Sequence, residues 1–263
     1  MVRLGGTATA SHMAAFQGLE AHFKRLGIEF DWVLYSDEIA MVDAFVAGEI
    51  DLAWNGPLNY VRIQQQLDDP CRVIAMRDVD LNFVTHFITQ PGSDIITVED
   101  LIGKRFAFGS RGSVEAGLLA HYFLKQSGIN PRRDLRKCTF YEERRPTSKF
   151  DQRDVIEHVL SGEYDAGAVS GRALTSLVER GTTPADSVRV FWSSPGYSHC
   201  CFTAQGDIEP ALYRQLEDAF VSVNGDDPAG KAILEAEACD SLVRGISQGW
   251  ETLEKAAQEE GLI

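Results

Sequence analysis

The sequence predicts an α/β protein of two lobes, each built on a mainly parallel, doubly wound sheet. Three observations lead there. Apolar runs of strand length alternate with stretches of helical period through most of the 263 residues. The alternation stops near Gly92 and begins afresh, so a second unit about the size of the first follows. Two apolar strands, Phe83 to Thr89 and Tyr197 to Thr203, flank that second unit, which reads as an insertion into the first. The expected lobes are residues 1–84 plus 196–263, and 85–195, joined by a two-strand hinge.

Each element has a local reason. Val2 to Gly5 is a strand, Ser11 to Leu26 an amphipathic helix, Glu29 to Tyr35 a strand, and Ser36 to Ala47 a helix with Asp37 near its start. The strand Ile50 to Ala53 and a helix from Leu58 to Leu67 complete a βαβαβα series, which requires parallel strands with helices on both faces. The strand Arg72 to Met76 precedes the first flanking strand. Beyond Gly92, Thr97-Val98-Glu99-Asp100 resembles a capping box with Asp in place of Glu and opens a short helix ending near Gly103. Lys104 to Phe108 is a strand, Gly109 to Gly112 a turn, and Val114 to Ser127 a helix closed by Gly128. Cys138 to Tyr141, Gln152 to Leu160, Tyr164 to Val169 and Leu174 to Glu179 continue as strand, helix, strand, helix. After Pro210 the chain favours helix, with Ala211 to Val223, Ala229 to Ala238 and Trp250 to Glu260.

Composition excludes several classes of function. The formal charge is −14, and no Lys/Arg cluster is large enough to follow a phosphate backbone, so nucleic acid is not an expected partner. Arg132-Arg133 and Arg144-Arg145 read as solvated loop charges. No apolar run approaches the roughly 18 residues of a membrane span. Met1 to Gly6 has no apolar signal core and reads as the first strand. The five cysteines form no C-x-x-C pair, and reduced thiols favour a reducing compartment. The chain as given is therefore expected in the cytoplasm, or in the periplasm if a leader was trimmed. Neither a cofactor nor a metal is expected, since His199-Cys200-Cys201 lacks structural zinc spacing.

The stretch GEIDLAWNGPLNYV, 48–61, is the most informative in the chain. A short strand stops, and an aromatic, an amide and a Gly-Pro pair precede the next helix. That arrangement presents Trp54, Asn55 and the first backbone N–H groups of a helix at the C-terminal edge of a strand, where open α/β sheets bind ligands.

With TVEDLIGKRFAFGSRGS (97–113) and GEYDAGAVSGRALTSLVERG (162–181), this stretch resembles the phosphonate-type branch of the type 2 solute-binding proteins of ABC importers. The resemblance implies a two-lobed type 2 periplasmic-binding-protein fold that closes about its hinge on a small anionic organic compound or a phosphorus or sulfur oxyanion. It also implies an ABC permease as partner. In that family a loop Asp-Pro-x-Ser-Thr-Ser grips the anion at a helix start. Here the loop reads Ser110-Arg111-Gly112-Ser113-Val114-Glu115, so Ser113 matches the first serine and Val114 and Glu115 replace the next two hydroxyl residues. Two donors are lost and a carboxylate gained, while Arg111 offers a planar fork suited to an oxyanion.

The remaining expected ligand-binding positions carry alternatives. Asp165 matches a family aspartate that faces the ligand, or is a turn residue. Gln152-Arg153 stands where some members hold a ligand amino group with His-Glu. Trp54 is either a pocket wall or core, and Tyr60, one turn on, reaches the same space. Thr7 either donates to the ligand or caps the next helix. His22, His121 and His158 read as surface or boundary residues, and His86, on a hinge strand, either points into the cleft or is a satisfied core histidine. On a strand, only His199 and Cys201 share a face, and a buried, inert cysteine is the commoner outcome there. Binding without chemistry is the leading function. The alternative is a cytosolic enzyme of the decarboxylase, desulfinase or dehydratase kind, or a ligand sensor, on the same fold, with Glu115 or Cys201 as its reactive group.

Overall fold

A computed structural model describes residues 1–67, 71–184 and 186–263. The chain divides into two units, Met1–Asn82 with Ser198–Glu254 and Ile263, and Phe83–Tyr197 with Lys255–Leu262.

The first unit begins β1 (Val2–Thr7), α1 (Ala10–Arg25), β2 (Phe30–Tyr35), α2 (Glu38–Val46), β3 (Leu52–Asn55), α3 (Pro57–Gln66) and β4 (Arg72–Arg77). Short polar side chains start its helices: Thr9 Oγ1 accepts the His12 N–H at 3.0 Å, and Asp37 Oδ1 that of Ala40 at 2.9 Å. α3 starts instead with Pro57 at its first position, where a missing N–H costs nothing.

The second unit contains β5 (Thr85–Thr89), β6 (Arg105–Ala107), α4 (Leu119–Gln126), α5 (Pro131–Asp134), β7 (Lys137–Thr139), α6 (Asp151–Leu160), β8 (Ala166–Ser170), α7 (Gly171–Glu179) and β9 (Arg189–Ser193). The expected capping box at Thr97 forms in altered shape. Asp100 accepts the N–H groups of Ile96 and Thr97, both at 2.8 Å, and the Thr97 hydroxyl donates to the same carboxylate. Only a 3-10 turn, Glu99–Leu101, follows.

The chain then returns as β10 (Cys201–Ala204), α8 (Pro210–Val221), α9 (Pro228–Glu237), β11 (Leu242–Arg244) and α10 (Glu251–Glu259). The end of α10 belongs to the second unit, where Lys125 pairs with Glu259 at 2.8 Å and Glu260 at 3.3 Å.

The first sheet has the order β11-β4-β10-β3-β1-β2. β1 is parallel to β2 and β3, while β10 runs antiparallel between β3 and β4. The second has the order β7-β6-β8-β5-β9, with β5 alone reversed. Both are doubly wound sheets of the kind the alternation predicts. β9, α5 and β11 were not expected; β11 spans three residues, too few to show a period.

In the first unit Phe16, Phe23, Phe202 and Phe220 are fully buried between the sheet and helices α1, α8 and α9. Phe23 meets Phe220 edge-on at 5.0 Å, and Gly18 lets α9 approach, since a Cβ there would lie 2.6 Å from Ile233. The second core gathers Ile88, Ala107, Val155, Ile156, Val159 and Val169 around Tyr164.

Several polar residues lie deeper than the sequence suggests. His22 is buried, with Nε2 at 3.0 Å from the Ala219 carbonyl, and His158 is buried among Asp154, Glu163 and the Arg145 carbonyl. Arg144, expected in solvent, is almost fully enclosed against Asp154 at 2.7 Å. Helical position does not report depth when both faces of a sheet are covered.

Candidate functional site

The C-terminal edge of the second sheet carries the most elaborate set of polar groups among the predicted positions. β6 ends at Ala107, and the chain turns at Gly109 into the segment Ser110 to Ser113. That turn is close-packed: a Cβ on Gly109 would lie 2.6 Å from Ala116 and 2.7 Å from the Asp151 carboxylate, and one on Gly117 2.2 Å from the Ser110 carbonyl oxygen. The Gly109 N–H donates to Ala116 O at 2.8 Å, and Ser110 N–H to Asp151 Oδ2 at 2.8 Å. The helix opens with a π turn, Val114–Leu118, in which the Leu118 N–H reaches Ser113 O at 3.0 Å. Ser113 caps it: its Oγ accepts the Ala116 N–H at 3.2 Å.

Glu115 occupies the second position of this helix. Its Oε1 accepts from Gln152 Nε2 at 2.7 Å, and Gln152 Oε1 accepts from both the Ser170 N–H at 2.7 Å and the Ser170 hydroxyl at 2.9 Å. Ser170 closes β8 and Thr85 opens its antiparallel neighbour β5, so the two stand opposite each other. Thr85 donates to the Glu115 carbonyl at 2.8 Å and lies 3.0 Å from the Tyr197 hydroxyl. Burial, then the Glu115 charge, raises the Tyr197 phenol well above its ordinary value, so it stays protonated. A carboxylate is thereby fixed where the positive end of a helix dipole is strongest.

Four expected site residues are placed elsewhere. Arg111 lies over the Phe140 ring at 4.1 Å, and its charge is matched by Glu143, while its N–H donates to Glu142 at 3.0 Å. It does not offer an unmatched cation to a ligand. Arg153 pairs along its own helix with Glu157 at 2.8 Å. Asp165 precedes β8, at the opposite edge of the sheet from Ser113. It takes the N–H, Nε and Nη2 of Arg105 at 2.7, 3.0 and 2.6 Å, and those hydrogen bonds hold its carboxyl below the ordinary range. Trp54 is core, stacked on Phe202 at 4.2 Å with Arg77 over its face at 5.2 Å, because β3 runs two residues further than expected and carries it inside.

The first unit holds Thr7, Asn55 and Tyr60. Thr7 ends β1 with its hydroxyl 3.2 Å from His12 Nδ1, and the cap of α1 is Thr9 instead. Asn55 is wholly buried. Its Nδ2 donates to Thr203 at 2.7 Å, and Oδ1 has no hydrogen-bond partner among the described residues. Tyr60 does not share a space with Trp54: it packs on Trp250 at 4.4 Å, its hydroxyl accepts from Gln64 at 2.8 Å, and it lines a cavity of about 370 Å³ with Gln65, Glu251 and Glu254. Gly112 is exposed in the second unit's loop. Gln152 stands at a position the family resemblance singled out, while Ser170 was not expected; the strand-ending serine that also caps α7 was the available signal.

The expected sharing of a strand face by His199 and Cys201 does not arise, whereas the expected buried cysteine does. The residues before Cys201 are not in strand, so alternation does not apply; Cys200 Sγ lies 3.2 Å from His199 Nδ1. Cys201 is fully buried, and burial pushes its thiol well up, so it is not a poised nucleophile.

Two sheets of this strand order, the second inserted into the first, define a type 2 periplasmic-binding-protein fold. Residues 8–245 match the family described as "ABC transporter, phosphonate, periplasmic substrate-binding protein", and the chain belongs to it. A sequence relative, "Probable ABC transporter phosphite binding protein PhnD1" of Prochlorococcus marinus (strain MIT 9301), is 24% identical over 246 residues, covering 90% of this chain and 80% of that protein. The solved structure of PhnD1 in complex with methylphosphonate superposes with a TM-score of 0.72 at 23% identity, covering 100% and 98% of the two chains. XAC2383 of Xanthomonas citri, bound to chloride ion, gives 0.73 at 18% identity over 100% and 99%. The sulphonate-binding SsuA of Escherichia coli gives 0.62 at 16% over 100% and 88%.

The chain is thus a substrate-binding protein of the ABC importer class. The family is periplasmic by description, so the cytoplasmic expectation has no support. Among the described residues, no helix is long and apolar enough to cross a membrane.

Proposed function

We propose that the protein captures a small, singly charged oxyanion that also brings a hydrogen-bond donor, and delivers it to an ABC permease in the periplasm. The observation that supports this reading is the Glu115 carboxylate, held by Gln152 beside the helix start at Ser113. A fully ionised phosphonate meets repulsion there, whereas a monoanion with a hydroxyl or other donor donates a hydrogen bond to Glu115 and leaves its charge to the loop. Ser110, Gly112, Ser113 and Glu115 supply the site in the second unit. Binding is accompanied by hinge closure, with lobes 1–84 plus 196–263 and 85–195, and by a smaller radius of gyration in X-ray scattering at saturating ligand.

Calorimetry with methylphosphonate, phosphite and methanesulfonate across pH tests the ligand class. Affinity for the phosphonate falls as it loses its second proton, and Glu115→Gln flattens that fall. A steady rise with ionisation, or an unchanged profile in the variant, overturns the reading.

A further inference from the structure

One cluster in the first unit is not used by the proposed ligand reading. Asp80 ends the 3-10 turn Asp78–Asp80 after β4, and His199 and Cys200 immediately precede β10, the strand beside β4. Only the fold brings them together. The backbone is tied from two sides: His199 N–H donates to Asp80 O at 3.1 Å, and Trp250 Nε1 donates to His199 O at 3.1 Å.

Three potential metal-ligating groups converge: Asp80, His199 and Cys200 each offer one ligand atom, and these all lie within 4.8 Å of one another. His199 Nδ1 is 3.2 Å from Asp80 Oδ1 and 3.2 Å from Cys200 Sγ. The edges of a tetrahedron about zinc, with ordinary Zn–N, Zn–O and Zn–S lengths, are about 3.3–3.6 Å. The arrangement therefore needs only small adjustments to surround an ion.

A nucleophilic relay is the competing explanation, and the geometry opposes it. A relay uses both ring nitrogens of the histidine, one for the thiol and one for the carboxylate. Here the same nitrogen faces both, and it carries at most one proton. Asp80 does not require that proton either, because Arg77 donates to its two oxygens at 2.6 and 2.9 Å.

We propose that Asp80, His199 and Cys200 form a binding site for a divalent ion of the zinc class, independent of the oxyanion reading. The nitrogen and sulfur donors select a borderline-soft ion over magnesium or calcium. Arg77 holds the carboxylate from behind as an outer-shell partner. Binding converts the Cys200 thiol to thiolate, the proton passing to solvent, and a water completes the fourth position.

The experiment uses the reduced, metal-free full chain titrated with Co²⁺, followed by Zn²⁺ competition. The expected result is one equivalent bound, with a thiolate-to-cobalt charge-transfer band. Cys200→Ser loses the band and weakens Zn²⁺ by at least about tenfold, while Cys239→Ser keeps both. Circular dichroism checks that each variant is folded. No band in the folded wild type, or the same band and affinity in Cys200→Ser, overturns the proposal.

Discussion

Removing the Asp154 carboxylate should destabilise the second unit and loosen the Gly109–Ser113 turn together. Asp154 and Arg144 are both enclosed, at 0% and 3% side-chain exposure. The carboxylate accepts Arg144 Nε at 2.7 Å, the Thr147 N–H at 2.6 Å and the Thr147 hydroxyl at 3.0 Å. The same guanidinium donates to the Phe108 and Thr139 carbonyls at 2.9 and 3.0 Å, which frame the start of the turn. In Asp154→Ala a buried cation loses its partner, a change that costs about 3–5 kcal/mol. At about 2–4 °C per kcal/mol, the melting temperature falls by roughly 6–20 °C. Circular dichroism and differential scanning calorimetry measure it, with Asp154→Asn as the milder variant that keeps an acceptor for Thr147. A loss below about 1 kcal/mol in Asp154→Ala refutes the reasoning, because an exposed pair gives no more than that.

Three further outcomes follow from particular groups. Gly117→Ala drives a Cβ against the Ser110 carbonyl and should cost about 1–3 kcal/mol while weakening oxyanion binding; unchanged calorimetric affinity would detach the turn from the site. Burial, opposed by Arg77 and aided by Asp80, raises the Glu237 carboxyl to about 7, above its unfolded value of 4.5. The native state thus holds the proton longer, and this contribution is fully present below pH 4.5 and lost as pH rises through 7. Glu237→Gln should remove that decline, worth on the order of 3 kcal/mol, in urea melts at pH 5 and 8. Native protein at pH 8 should leave Cys201 unalkylated by iodoacetamide until unfolded, read by peptide mass spectrometry; rapid labelling would contradict its full burial.

The sequence by itself determined the alternation of strands and helices, the helix starts at Asp37 and Ser113, and the insertion of one unit into another. These follow from local causes: apolar period, capping oxygen atoms and backbone angles that neighbouring residues set. The turn at Gly109 was legible for the same reason, and so were the departures at Val114 and Glu115.

Only the tertiary structure decided what each side chain touches. Arg111 carries the right chemistry for an oxyanion and Asp165 for a donor group on a ligand, yet Glu143 and Arg105 engage them, from positions 32 and 60 residues away along the chain. Trp54 sits at a strand end, and an extra two residues of β3 turned it from a wall into core. Gln152, Ser170 and Glu115 join one hydrogen-bonded chain because β8 and α6 bring them to one sheet edge, and Asp80 meets His199 across 119 residues. Electrostatic matching and burial depend on distances through space, which a linear pattern of residues does not encode.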